Sequence, residues 1–218
     1  MSLIIGAIQN LQLIGSYLSP FVRRVAISMN VMDQPYEQNS ILAFASPDQI
    51  RCHNPLIRVP TIVLDDGDVL VESYAILDYL DELAGDSKRL TPANGPERRR
   101  VMKDTAMAVG SMDRAQWAVY EYRHRPQEKV HEPWAEHNDS RAIGGLQYLD
   151  RLASEVGETG WLSNTDRMSQ SDISAVVAYS FATAVRPNLD LEVAAPALKS
   201  FVARCEALAP FADAVIHE

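Results

Sequence analysis

The stretch LIGSYLSPFVRRVAI, from Leu13 to Ile27, sets Ser16, Tyr17 and Ser19 between two apolar runs, with Pro20 following the last serine. Serine before proline is the usual chemistry of a helix start: Ser caps, and Pro fits the first helical position because its missing N–H is not needed there. A hydroxyl in that place also meets the positive end of the helix dipole, where an anion can be held. From these residues alone both readings stand, a cap or an anion site.

Other clusters with chemical potential are fewer. Asp65, Asp66 and Asp68 surround Gly67. A calcium loop of the EF-hand type needs its glycine and its final glutamate at fixed offsets, and neither falls in place, so the cluster reads as a turn. The five histidines show no metal-ligand spacing, and no metal is expected. Cys52 and Cys205 lie far apart and outside any CxxC pattern, which argues against a disulfide framework or a zinc knuckle. Glu72 and Ser73 precede an amphipathic run, where free helical amides and a nearby carboxylate could bind a zwitterionic ligand or simply start the helix.

These residues need elements to hold them. Asn10 to Gly15 alternates like a short strand, and Val22, Val25, Met29 and Met32 recur at helical spacing, with Arg23 and Arg24 expected to point away from that apolar face. A weak second strand is expected at Tyr36 to Asn39. Val59 to Ser73 reads as a β-hairpin about the aspartate turn, and SYAILDYLDELAG as a helix stopped by Gly85. The result is a compact α/β domain over residues 10–85. Asp86 to Gly95 reads as a linker. Residues 96–218 read as an all-α helical bundle: helices opening at Pro96 and Pro133, a third capped by Ser169 with Asp172 as its capping-box partner and Met168 and Ile173 as a hydrophobic staple, and a last one carrying Leu198 to Leu208.

Four stretches of this chain resemble the cytosolic glutathione transferases, serine-type members such as the tau class and its bacterial relatives in particular. SPFVRRV at Ser19 to Val25 resembles the start of their first helix. NPLIRVPTIV at Asn54 to Val63 resembles the segment leading to their cis-proline, here Pro60. VESYAILDYLDE resembles the Glu-Ser helix start that holds the γ-glutamyl end of glutathione. WLSNTDRMSQSD at Trp161 to Asp172 resembles their Trp-Leu and capping box.

The resemblance implies a thioredoxin-like fold for the first domain and a transferase that adds the glutathione thiolate to an electrophilic small molecule. Ser19 is then the catalytic hydroxyl, with Ser16 and Tyr17 as alternatives. Arg58, Val59, Pro60, Glu72 and Ser73 join Ser19 in binding glutathione: Val59 through its backbone, Arg58 at the glycyl carboxylate, Glu72 at the γ-glutamyl ammonium. A free thiol titrates near ~8.5, so a donor at a helix N-terminus would raise the thiolate fraction. Many tau-class members carry a lysine between the first helix and the segment matching Asn54, and this chain has none. Met112, Gln116, Trp117 and Tyr120 are the residues expected to line a second-substrate pocket. The other readings are a non-catalytic binding or regulatory protein of this fold and a glutathione-dependent isomerase or dehalogenase.

Bulk composition is ordinary for a soluble globular protein. The chain has 218 residues, 47% hydrophobic and 22% charged, with a formal charge of −9. That balance argues against nucleic acid or anionic membrane as a partner, because phosphate affinity comes from clustered Lys and Arg. No apolar run reaches the ~18 residues of a membrane span. Met1 to Ile8 lacks the basic start of a secretory signal and reads as a loose extension or expression remnant. A cytoplasmic homodimer is the expectation.

Overall fold

The computed structural model describes residues 10–216, and the expected extension at Met1 to Ile8 lies outside the described residues. The chain divides into two compact units: residues 10–89 together with 209–216, and residues 90–208.

The first unit has the order β1 (Leu11–Ile14), α1 (Pro20–Val31), β2 (Tyr36–Asn39), α2 (Pro47–Arg51), β3 (Thr61–Val63), β4 (Val69–Val71) and α3 (Ser73–Lys88). Its four strands form one sheet in the order β2-β1-β3-β4. β1 runs parallel to β2, with Leu11 opposite Tyr36, and antiparallel to β3, with Leu13 opposite Ile62. A parallel pair needs a crossover, and α1 supplies it. β3 and β4 are the expected hairpin, closed by the Leu64 and Gly67 amides and by Gly67 at φ 86°. Asp66 and Asp68 spend a carboxylate oxygen each on turn amides, of Asp68 and Val69 at 2.9 and 2.8 Å. α3 is broken at Gly85 (φ 63°, ψ −172°), where the sequence pattern expects it to stop.

α1 differs from expectation. Val22, Val25, Ala26, Ile27 and Met29 are buried as the spacing requires, but Arg23 and Arg24 are buried too. The reason lies at the other end of the chain. A helical turn at Ala209–Ala212 packs on α1, Arg23 Nε donates to the Ala214 carbonyl at 3.0 Å, and Asn30 Nδ2 donates to the Pro210 carbonyl at 2.9 Å. α1 is therefore covered on more than one side, and residues 209–216 belong to the first unit rather than to a helical domain running on to 218.

The second unit contains α4 (Gly95–Arg123), α5 (Glu132–Val156), α6 (Gln170–Val185), α7 (Leu191–Ala194) and α8 (Pro196–Glu206). α6 is its centre, with Ile173, Val176, Val177 and Ala182 buried. α4 and α5 cross closely at Gly145, where a Cβ would come within 2.0 Å of Ser111 Oγ. The start of α6 is the expected capping box. Asp172 accepts from the amides of Leu162 and Ser169 at 2.7 and 2.8 Å and from the Ser169 hydroxyl at 2.7 Å. Ser169 Oγ and Ser171 Oγ are 2.8 Å apart, and Ser163 continues the network to Asp104.

Candidate functional site

The loop between β1 and α1 is held by one glycine. Gly15 adopts φ 131°, and a Cβ there would lie 2.6 Å from Val22 Cγ2 and 2.9 Å from Val59 Cβ. Only glycine lets the strand end, α1 and the loop before β3 meet this closely. Its amide donates to the Asn39 carbonyl and that of Ser16 to the Ile41 carbonyl, tying the loop to the chain beyond β2.

Three hydroxyls compete in this loop, and their settings differ. Ser16 Oγ accepts from the Leu18 amide at 3.3 Å. Tyr17 Oη is 2.8 Å from Tyr36 Oη, and burial pushes both phenols above their ordinary range. Ser19 stands at the N-cap of α1 with extended backbone, but its side chain makes no capping bond. Pro20 carries no N–H, and the Val22 and Arg23 amides turn to the Ser19 carbonyl at 3.1 and 3.0 Å. The half-buried Ser19 hydroxyl is thus left at a helix N-terminus with no task in the helix.

The Val59–Pro60 peptide is cis. Asn54 Nδ2 and Thr61 Oγ1 both donate to the Arg58 carbonyl, at 2.9 and 3.1 Å, and brace the turn ahead of it. Ladder pairing of β3 begins at Thr61, so the half-buried Val59 stands outside it, with backbone groups suited to pairing an extended peptide. Pro60 is buried.

Glu72 precedes α3 at φ 68° and ψ 132°, a strained conformation for a residue with a Cβ. It carries the side chain towards Arg58: Arg58 Nη1 and Glu72 Oε1 are 2.8 Å apart, both partly exposed. Ser73, the first residue of α3, is buried and accepts from Arg24 Nη1 at 3.3 Å. Arg24 has no place in the expected site. The visible signal was a pair of adjacent arginines on an otherwise apolar helix. Its guanidinium sits 5.2 Å from the Tyr74 ring, and burial brings its pKa down to about 10.

The structure therefore gathers Ser19, Arg58, Val59, Pro60, Glu72 and Ser73 in the first unit, on the loops that end β1, precede β3 and start α3. The expected second-substrate residues lie on α4 in the second unit. Met112 is fully buried and serves the core of that unit. Trp117 is 47% exposed, its ring meets Tyr120 edge-on at 6.1 Å, and Gln116 Nε2 donates to Tyr120 Oη. Among the described residues no cluster of His, Cys, Asp and Glu is arranged to hold a metal, and no helix is long and apolar enough to cross a membrane.

Residues 13–88 match the glutathione S-transferase N-terminal domain family. The chain is 33% identical over 103 residues to the GST-like protein YibF of Escherichia coli K12, covering 47% of this chain and 50% of that protein. It is 31% identical over 102 residues to glutathione S-transferase U3 of Arabidopsis thaliana, covering 46% and 41%. The matched region thus spans about half the length of these curated relatives or less. A crystal structure of a glutathione S-transferase from Methylobacterium radiotolerans, in complex with glutathione sulfonate, superposes with a TM-score of 0.86 at 27% identity, covering 96% of both chains. Residues 13–88 thus belong to the glutathione S-transferase N-terminal domain family, and the Methylobacterium radiotolerans transferase shares the fold over 96% of both chains.

Proposed function

We propose that this protein is a serine-type glutathione transferase: it binds glutathione on the first unit, stabilises its thiolate and adds that thiolate to an electrophilic small molecule. One observation carries the choice of catalytic group. Tyr17 Oη is paired with Tyr36 Oη and Ser16 Oγ accepts from the Leu18 amide, whereas the Ser19 hydroxyl makes no capping bond at the start of α1. Ser19 donates to the glutathione sulfur, and the N-terminal end of α1 adds positive potential, so the ionised form is favoured over the thiol. Val59 pairs with the cysteinyl backbone of the tripeptide. Ser73 and the first amides of α3 take the γ-glutamyl carboxylate, and Glu72 takes the ammonium. Arg58 serves the glycyl carboxylate when it leaves Glu72. The protein acts as a homodimer in cytoplasmic detoxification.

Isothermal titration with glutathione tests the reading, followed by turnover with an aryl halide as electrophile. Micromolar to millimolar binding with thiolate absorbance in the complex is expected. Absence of binding at several millimolar overturns the assignment. Binding without turnover of any electrophile leaves a glutathione-binding protein of this fold that is not a transferase.

A further inference from the structure

Val22 to Met29 are all buried, a run of more than two helical turns, so α1 is covered on every face. A helix packed on one side buries a stripe and leaves the rest in water. Part of the cover here comes from the end of the chain. The helical turn at Ala209–Ala212 packs on α1, and Phe211 and Ala214 are fully buried while Ala212, Asp213 and Val215 are exposed.

The segment is fastened at two points. Near the start of α1, Arg23 Nε donates to the Ala214 carbonyl at 3.0 Å; near its end, Asn30 Nδ2 donates to the Pro210 carbonyl at 2.9 Å. The segment therefore runs antiparallel to α1 along most of its length. The Asn30 side chain also hydrogen-bonds the Tyr36 hydroxyl, so one carboxamide joins the chain end, α1 and β2. A single helical turn of 4 residues has no stability of its own, and these contacts hold it in place. The first unit is thus completed by residues that follow the whole of the second unit in sequence.

What α1 carries gives this cover a consequence. Ser19 stands at its N-cap, one turn before Arg23, and makes no capping bond, so the helix backbone alone sets where the hydroxyl sits. Donors to a developing anion act only in the right geometry, held to within about 0.5 Å. A misplacement of about 1 Å can cost on the order of 10²-fold in rate.

We propose that residues 209–216 are a strap that positions α1, and with it Ser19 and the positive helix end, for the glutathione sulfur. Phe211 and Asn30 are its positioning residues. This rests on the serine-type glutathione reading above and makes turnover depend on the far end of the chain. Binding is separate, because Val59, Glu72 and Ser73 stand before β3 and at the start of α3, off α1. Loosening the strap therefore slows the chemistry and spares affinity.

The test compares full-length Phe211→Ala and Asn30→Ala with wild type and with Ser169→Ala, whose lost bonds lie at the start of α6. Turnover of the aryl halide is measured at saturating substrates, and titration with glutathione gives both Kd and the number of folded sites. Per folded site, kcat should fall about 10-fold in Phe211→Ala and about 3-fold in Asn30→Ala. Kd for glutathione should stay within about 2-fold of wild type in both. Ser169→Ala should keep the wild-type kcat per folded site, since lost stability alone does not move Ser19. Unchanged kcat in the strap variants overturns the proposal, and so does an equal fall in Ser169→Ala or a loss confined to Kd. If Phe211→Ala does not fold, Asn30→Ala decides alone. A wild-type protein that binds or turns over nothing removes the parent reading and this proposal together, and measuring wild type first separates that case from failure of the strap.

Discussion

Arg58 Nη1 and Glu72 Oε1 lie 2.8 Å apart and join the cis-proline loop to the start of α3. The pair is more than a third exposed on each side, so water screens it and its share of stability is small, about 0–1 kcal/mol. In the function proposed above the two side chains take opposite charges of glutathione, so binding would make them exchange partners. Arg58→Ala should leave the melting temperature within about 2 °C of wild type and raise KM for glutathione several-fold with little change in kcat. Steady-state kinetics and thermal melts together check this, and a large fall in kcat with unchanged KM would contradict it.

Ser19→Ala should lower kcat/KM by about 10²-fold, the cost of one preorganised donor to a developing anion. Because Ser19 makes no capping bond, the same change should cost less than about 0.5 kcal/mol of stability, below the usual loss for a cap. Ser16→Ala and Tyr17→Phe should retain most of the activity. Thiolate absorbance of bound glutathione should weaken in Ser19→Ala alone. If Tyr17→Phe abolished turnover while Ser19→Ala did not, the assignment would be wrong.

Glu72→Gly should separate binding from stability. Holding a non-glycine residue at φ 68° costs about 1–3 kcal/mol, which glycine relieves in part while losing backbone rigidity. Chemical denaturation should find the variant as stable as wild type or more so, while titration finds glutathione affinity strongly reduced. A clear loss of stability would remove strain from the explanation.

Ser169→Ala should do the reverse. Its hydroxyl bonds Asp172 and Ser171 in a buried network at the start of α6. Loss of the cap should cost about 1–2 kcal/mol, with glutathione affinity unchanged in the protein that remains folded. Unchanged unfolding free energy would mean that the network is dispensable.

Burial pushes the Cys205 thiol up from 9.0 to about 12, so the folded protein keeps a proton that the unfolded chain releases. With a raised folded pKa, this group's contribution is fully present below about pH 9 and is lost as pH rises from 9.0 towards 12. Cys205→Ala should flatten the fall in stability across that range by up to about 1.4 kcal/mol per pH unit. Cys52, which is exposed, should be the cysteine alkylated in the native protein. Denaturant melts at several pH values and mass spectrometry after iodoacetamide treatment check the two statements.

Local chemistry makes much of this protein legible in its sequence. Ser-Pro starts α1, the aspartate-glycine cluster turns the hairpin, Gly85 breaks α3, and Ser169 with Asp172 starts α6, each within a few residues of the pattern that announces it. These features depend on hydrogen bonds between near neighbours, and residue type with spacing is enough to specify them. α2 and α7 escaped because helices of 5 and 4 residues have too few positions for a period to appear. What the loop hydroxyls bond depends on partners distant in sequence, such as Tyr36 for Tyr17. So did the fate of the arginines on α1: the Ala214 carbonyl, 191 residues on, covers Arg23, and Ser73 receives Arg24. Met112 shows the same limit, since a methionine at helical spacing serves a core or a pocket equally well until the facing helices are in place. Sequence determined where helices and turns begin, because local amides and side chains decide that. Tertiary structure decided which polar groups are buried, paired or left open, because only packing brings their partners within reach.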